Sequence, residues 1–164
     1  MTTYNETIRL FGFGSLMNEK ALQERAPQAC RVRWAKLKGY EAIFTKIGSH
    51  HVYLTIAKKD GRNVFGALID VDPAGLEILK AHEPGYSLIG LTPSVCETDG
   101  SPYREALPVY SFVAPVPRYI PEQLRTIRRS YIDKSMAELP PEIRERWLED
   151  WVRIPGGIVI DDGA

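Results

Sequence analysis

The sequence predicts an α+β fold built on mainly antiparallel or mixed strands. Three observations carry that expectation. Apolar residues alternate at period two in more segments than show helical spacing. The alternating segments cluster around Asp-Gly pairs, as hairpin arms do, instead of being separated one by one by helices as in a doubly wound sheet. The helical segments are few, and proline or glycine bounds each of them.

Ile8, Leu10 and Phe11 form a short extended element that runs through Phe13 into Gly14-Ser15. Leu16 to Arg25 reads as a helix with Leu22 and Ala26 turned inward, Pro27 as its stop and Ser15 as its N-cap. From Arg31 to Leu37 the alternation begins with Val32 and Trp34, then changes phase to Ala35 and Leu37, as a bulged strand would. Gly39 is expected to end that strand, and Ala42 to Ile47 to form another. Val52, Leu54 and Ile56 alternate, as do Ala67, Ile69 and Val71, and Asp60-Gly61 between them predicts a hairpin turn.

Asp72-Pro73 opens a short helix, with aspartate at the N-cap and proline in the first turn. Leu76 and Leu79 face inward, and Pro84-Gly85 stops the helix just beyond His82-Glu83. A second hairpin is expected from Leu88 to Val95 and Ala106 to Val113 around Asp99-Gly100, with Pro93 demoting part of its first arm. Beyond the stiff Pro115-Val116-Pro117 connector, a longer helix is expected from Pro121, with Leu124, Ile127, Tyr131 and Leu139 near one stripe. Ile143, Trp147 and Trp151 then recur at intervals of four, as a further helix would place them, and Ile158 to Asp162 suits a short final strand.

The 164 residues suit one domain, 1–164, and a chain of that size removes roughly 70% of its unfolded surface from water. Hydrophobic residues at 44% and charged residues at 26% exclude disordered and collagen-like classes. Twenty-one basic residues balance 21 acidic ones, which argues against a dedicated nucleic-acid or anionic-membrane binder. Cys30 and Cys96 are too few for a disulfide framework and read as buried, inert thiols. The start of the chain has no basic leader region and no run spans a bilayer, so the expected location is cytoplasmic. The sequence leaves the oligomeric state open.

Two features stand out as chemical candidates. Gly14-Ser15 at a strand end exposes successive N–H groups at a helix start, which suits a carboxylate, phosphate or developing oxyanion. The same pair also occurs in ordinary capped turns. It lacks the extra glycines of a dinucleotide fingerprint and the lysine of a phosphate loop. Glu83 ends a helix, where exposed carbonyls disfavour negative charge and raise a carboxylate toward neutrality, as proton transfer requires. The competing reading is a solvated helix-end glutamate. His50 and His51 are adjacent and point apart, and no spacing of His and Cys suits a metal, so none is expected. Arg125, Arg128 and Arg129, like Arg31, Arg33, Lys36 and Lys38, read as solvated faces.

In combination these segments resemble the γ-glutamylcyclotransferase-like superfamily. Phe11-Gly12-Phe13-Gly14-Ser15-Leu16 is similar to its N-terminal aromatic-Gly-Ser loop, and Val64 to Val71 to the strand before its catalytic helix. Leu79 to Tyr86 resembles its Leu-Asp-x-x-Glu-x-Gly-Tyr segment, with the glutamate at Glu83, and Ser130-Tyr131-Ile132-Asp133 a Ser-Tyr-Leu-Asp helix of some bacterial members. The resemblance spans about residues 8 to 139. It departs at Phe13, usually tyrosine, at Ser87, often arginine, and at Lys80, often aspartate. The resemblance implies a mixed, partly closed β-barrel with flanking helices and cyclisation of a γ-glutamyl amide or peptide to 5-oxoproline. Glu83 would be the general acid/base, and Phe13, Gly14, Ser15, Leu16 and Tyr131 would bind substrate. It implies no metal or organic cofactor. A non-catalytic member of the fold, binding a small acid or a protein, is the alternative.

Overall fold

A computed structural model of the chain describes residues 6–163. Residues 1–5, where the sequence was read for a leader, lie outside them. Strand β1 (Ile8–Gly12) leads through a 3-10 turn (Gly14–Met17) into helix α1 (Glu19–Arg25). Two long strands follow, β2 (Cys30–Ile47) and β3 (Val52–Val71), then helix α2 (Pro73–His82). Short strands β4 (Ser87–Gly90), β5 (Val95–Cys96) and β6 (Val109–Val113) come next. Strand β7 (Thr126–Arg128) runs into helix α3 (Arg129–Met136), followed by α4 (Pro141–Arg144) and a π-helical turn (Trp147–Trp151). Strands β8 (Val152–Arg153) and β9 (Val159–Asp161) close the order.

The main sheet runs β4-β6-β1-β3-β2-β5, with β8 added beside β2. It is mixed, because β1 pairs in parallel with β6 and β2 with β8, whereas the other pairings are antiparallel. The sheet curls into a half-barrel flanked by helices, so the α+β, partly closed barrel expectation holds.

Its central strands are buried on both faces, and neighbouring residues therefore serve different cores. Leu10, Ala67, Ile69 and Val71 face α1 and α2, together with Leu22, Ala26, Leu76 and Leu79. Phe11, Leu54, Ile56 and Leu68 face the inside of the curl, with Phe44, Ile127, Ile132 and Trp147. Trp147 is 1% exposed and meets Phe44 edge-on at 6.4 Å. Leu22 and Leu79 are almost fully buried, each worth about 2–3 kcal/mol of apolar transfer. Their burial docks α1 and α2 on the same face of the sheet and so fixes where those helices end.

Several sequence expectations need correction. Residues 42–47 are not a separate strand: β2 runs through Gly39, which takes φ +80° at a register shift between Lys38 and Tyr40. Asp60-Gly61 is not the hairpin turn. It lies inside β3, where Lys59 to Arg62 bow outward opposite Gly39, and the true turn at 48–51 is closed by the Gly48 N–H on the His51 carbonyl. The first helix starts later than expected, because Asn18 rather than Ser15 is its N-cap and accepts from the Ala21 N–H at 3.0 Å. The second hairpin is split: β4 pairs with β6, while β5, redirected by the Thr92-Pro93 turn, pairs with β2.

The long helix expected from Pro121 is only a single 3-10 turn (Glu122–Leu124), with the Leu124 N–H on the Pro121 carbonyl at 2.9 Å. Residues 126–128 are extended and pair in parallel with β9, the expected final strand, and helix begins only at Arg129. The helix carrying Trp147 and Trp151 breaks after Arg144 and resumes as the π turn. Cys30 is exposed and Cys96 half-buried, contrary to two buried thiols, though burial pushes the Cys96 thiol up and keeps it protonated. Arg31 and Arg33 are tied to Glu138, Glu97 and Glu105 instead of being simply solvated. No helix among the described residues is long and apolar enough to cross a membrane.

Candidate active site

A cavity of about 500 Å³ opens where α1, α2, the tip of the β2–β3 hairpin and α3 converge. Its residues arrive from six separate parts of the chain: the turn after β1, α1, the β2–β3 hairpin, the end of α2, β6 and the β7–α3 junction.

Glu83 is placed by the start and stop of α2. The Asp72 carboxylate accepts the Gly75 N–H at 2.7 Å, Pro73 fills the first turn, and the helix ends with Glu83 as its C-cap residue. Gly85 follows at φ +84° and turns the chain into β4. The Glu83 side chain is 17% exposed and lies on the cavity wall. Burial pushes its carboxyl up to about 6 from 4.5, against the opposing pull of Arg25, His82 and Lys46. Its nearest cation is Arg25 at the end of α1, with Nη1 to Oε1 at 4.0 Å. That is a loose contact, beyond hydrogen-bond distance.

Opposite stands the turn after β1. Phe13, Ser15 and Leu16 line the cavity; Phe13 and Leu16 are buried and Ser15 half-buried. Gly14 lies behind this wall at φ +62°, and a Cβ there would run into the Tyr131 hydroxyl. Glycine is thus required twice, by the left-handed backbone and by the tyrosine. The turn is a four-residue 3-10 segment, too short to add the macrodipole expected of a full helix. The Ser15 backbone N–H is directed at the Tyr131 hydroxyl, so the turn and the tyrosine form one continuous wall.

Tyr131 comes from the first turn of α3 and packs edge-on against Tyr53 (5.2 Å) and Phe44 (6.2 Å). Burial, then the neighbouring Glu83 charge, push its hydroxyl up, so it stays a protonated donor. Tyr86, two residues beyond Pro84, donates to the Leu54 carbonyl at 2.7 Å and is raised by burial and the same neighbours. The result is a cluster of Glu83, Tyr53, Tyr86 and Tyr131 beside the Gly14-Ser15 turn. It can accept one proton at a carboxylate while donating from hydroxyl and amide groups.

The structure thus gathers Glu83, Phe13, Ser15, Leu16 and Tyr131 around one cavity, with Gly14 directly behind it. Sequence reading missed Tyr53, Arg25, Lys46 and Lys134 on the same wall, and assigned Arg128 to a solvated face. Tyr86 was visible only within a motif. His50 stands at the exposed hairpin tip beside the cavity, while His51 is buried with Nδ1 2.8 Å from Thr126 Oγ1, so the two do point apart. Among the described residues no three His, Cys, Asp or Glu side chains form a metal-binding set.

The family model for γ-glutamyl cyclotransferase, AIG2-like, matches residues 10–126. Among solved structures, one named gamma-glutamyl cyclotransferase is similar at TM-score 0.66 and 17% identity, covering 93% of this chain and 96% of its own. An uncharacterized protein from Homo sapiens gives TM-score 0.64 and 18% identity over 93% and 96% of the two chains. YkqA from Bacillus subtilis gives 0.66 and 18%, over 87% of this chain and 53% of that one. At such identities the likeness is one of fold. None of the curated proteins matches the sequence.

Proposed function

The chain belongs to the γ-glutamyl cyclotransferase, AIG2-like family, and from that premise we propose that it cyclises a γ-glutamyl amide or peptide to 5-oxoproline. One observation carries the reading: a half-buried carboxylate, Glu83, pushed up to about 6 and sharing a cavity with the Phe13–Leu16 turn and Tyr131.

The chemistry needs little more. The α-nitrogen of the γ-glutamyl group attacks its own γ-carbonyl carbon, a carbon–nitrogen bond forms, and a five-membered ring closes. The bond from that carbon to the leaving nitrogen then breaks. Both nitrogens belong to one substrate molecule, so the cavity's main task is to hold the folded conformer. The α-ammonium loses one proton to become a nucleophile and a second as it becomes the ring amide, while the departing nitrogen gains two and leaves as an ammonium. Glu83 relays them, taking a proton as carboxylate and returning it as carboxylic acid, a role suited to a group that titrates near neutrality. The carbonyl oxygen gathers negative charge in between. The Tyr131 hydroxyl, braced by the Ser15 N–H, serves it there as a donor. Phe13 forms an apolar side of the cavity without the hydroxyl that a tyrosine would add.

The test is release of 5-oxoproline from γ-glutamyl-glycine by the native protein and by Glu83→Gln. The native protein turns over and the variant loses about 10³-fold in kcat/KM. Full release by the variant from every substrate the native protein cleaves would refute the mechanism. Ligand binding without turnover by the native protein would favour a binding role for the same cavity.

A further inference from the structure

A second cavity, of about 520 Å³, lies where β2 and β3 face the segment running from Pro140 to Trp151. It shares no lining residue with the candidate active site, and its size suits a small molecule. Its floor follows from strand register. Lys36 on β2 sits opposite Phe65 on β3, and Trp34 lies two residues back along β2, so all three share one face of the sheet. Trp151 joins them from the end of the π turn, an irregularity of a kind that recurs at functional sites. The same turn buries Trp147 in the core, at 1% exposed, and leaves Trp151 half-buried on the cavity. Ring centroids lie 5.5 Å apart from Trp34 to Phe65 and 5.6 Å from Phe65 to Trp151. The segment that supplies Trp151 lies beyond residues 10–126, the part matched by the family model.

The cavity is lined by four charged side chains, Arg33, Lys36, Glu97 and Glu142. Two of them satisfy each other: Arg33 Nε donates to Glu97 Oε1 at 2.6 Å and Arg33 Nη2 to Glu97 Oε2 at 3.1 Å. The other two are free. Lys36 Nζ stands over the Trp151 ring at 5.7 Å, which holds the ammonium at the cavity. Neither Lys36 nor Glu142 has an opposite charge within 4.0 Å among the described residues.

The cavity therefore presents a flat aromatic wall, one unpaired ammonium and one unpaired carboxylate. A planar ring covers the wall best, because it can stack on or meet the three rings edge-on. A carboxylate answers Lys36, and an ammonium answers Glu142. One small class of molecule carries all three groups, the aromatic α-amino acids in their zwitterionic form. We propose that this cavity is a binding site for a free aromatic amino acid. Its ring lies on the Trp34–Phe65–Trp151 wall, its carboxylate at Lys36 and its ammonium at Glu142. The site stands apart from the candidate active site and does not depend on the cyclotransferase reading.

The three tryptophans make the test local. The nitrogen-15-labelled native protein is titrated with L-tryptophan and read at its indole N–H resonances. Those of Trp34 and Trp151 move and saturate with a Kd of about 1 mM or tighter, while that of buried Trp147 stays in place. Tryptamine, which lacks the carboxylate, and indole-3-propionate, which lacks the ammonium, bind more weakly than L-tryptophan, and L-alanine moves neither resonance. Lys36→Gln weakens L-tryptophan binding by about tenfold, and the exposed substitution Glu142→Gln weakens it by about threefold. Glu83→Gln binds it as the native protein does. Still resonances of Trp34 and Trp151 at about 10 mM L-tryptophan would overturn the proposal. So would tryptamine or indole-3-propionate binding as tightly as the amino acid, a comparison that needs no variant to fold. Affinity unchanged in both Lys36→Gln and Glu142→Gln, or lost in Glu83→Gln, would overturn it as well.

Discussion

Two carboxylate–arginine pairs in this molecule have opposite designs. Asp70 grips Arg9 with two short bonds, Nε to Oδ1 at 2.7 Å and Nη2 to Oδ2 at 2.9 Å, and Glu105 adds a third contact at 2.8 Å. Arg9 is only 6% exposed, and these hydrogen bonds hold its guanidinium well above its ordinary range. Glu105 also binds Arg33, which binds Glu97, so the network ties β1, β2 and β3 to the loop before β6. Glu83 and Arg25 stand 4.0 Å apart at the edge of a cavity. The first pair is saturated and braces the sheet. The second is loose enough for the carboxyl to be governed by burial, which raises it, more than by its cation, which lowers it. A tight pair fixes a protonation state, and a loose one leaves a proton to be exchanged.

The largest effect that separates the two is on rate. Glu83→Gln removes about 10³-fold of kcat/KM and yet stabilises the protein at neutral pH. Above about 6 the native carboxyl is ionised in both folded and unfolded chains, and keeping the charge buried costs the folded one. Below 4.5 it is protonated in both and costs nothing. The variant therefore gains about 2 kcal/mol at pH 8 and none at pH 4, read by denaturant unfolding at the two pH values. Loss of stability at pH 8 would mean that Glu83 is a structural partner.

Arg9→Met produces the opposite pattern, a loss of about 3 kcal/mol in unfolding free energy because Asp70 and Glu105 lose their shared cation. The acid limb of its activity stays near 6. Gly14→Ala comes next in size, at about 2 kcal/mol from the left-handed backbone and the clash with Tyr131. It disturbs turnover as well, because the turn carries cavity residues on both sides of Gly14. Smallest is Arg25→Gln, where losing the nearest cation moves the acid limb upward by about half a pH unit, with Arg25→Lys restoring it. An unmoved limb in Arg25→Gln would show that the pair has no electrostatic contact.

The sequence disclosed the parts of this comparison that depend on neighbours along the chain. Asp72-Pro73 and Pro84-Gly85 bracket α2 and so place Glu83 at its end, and the strand-Gly-Ser turn was visible without any tertiary information. Alternation at Val52-Leu54-Ile56 and Ala67-Ile69-Val71 marked strand faithfully. It did not reveal a single strand, because Asp60-Gly61 has the composition of a turn and here forms an outward bow instead. The spacing of Ile127 and Tyr131 imitates a helix, but Thr126–Arg128 is held extended by β9, whose partner residues lie more than 30 positions further on. No local pattern contains that pairing. The same holds for Arg25, Lys46, Arg128 and Lys134, which come from different elements and acquire a shared meaning only where those elements meet.

The central claim is that Glu83 exchanges the proton during ring closure, and the pH dependence of 5-oxoproline release from γ-glutamyl-glycine tests it most directly. As pH falls, kcat/KM should decline through a midpoint near 6, the value at which buried Glu83 loses its charge. A midpoint near 4.5, typical of a solvated glutamate, or a flat profile from pH 4 to 8 with full turnover, would contradict it.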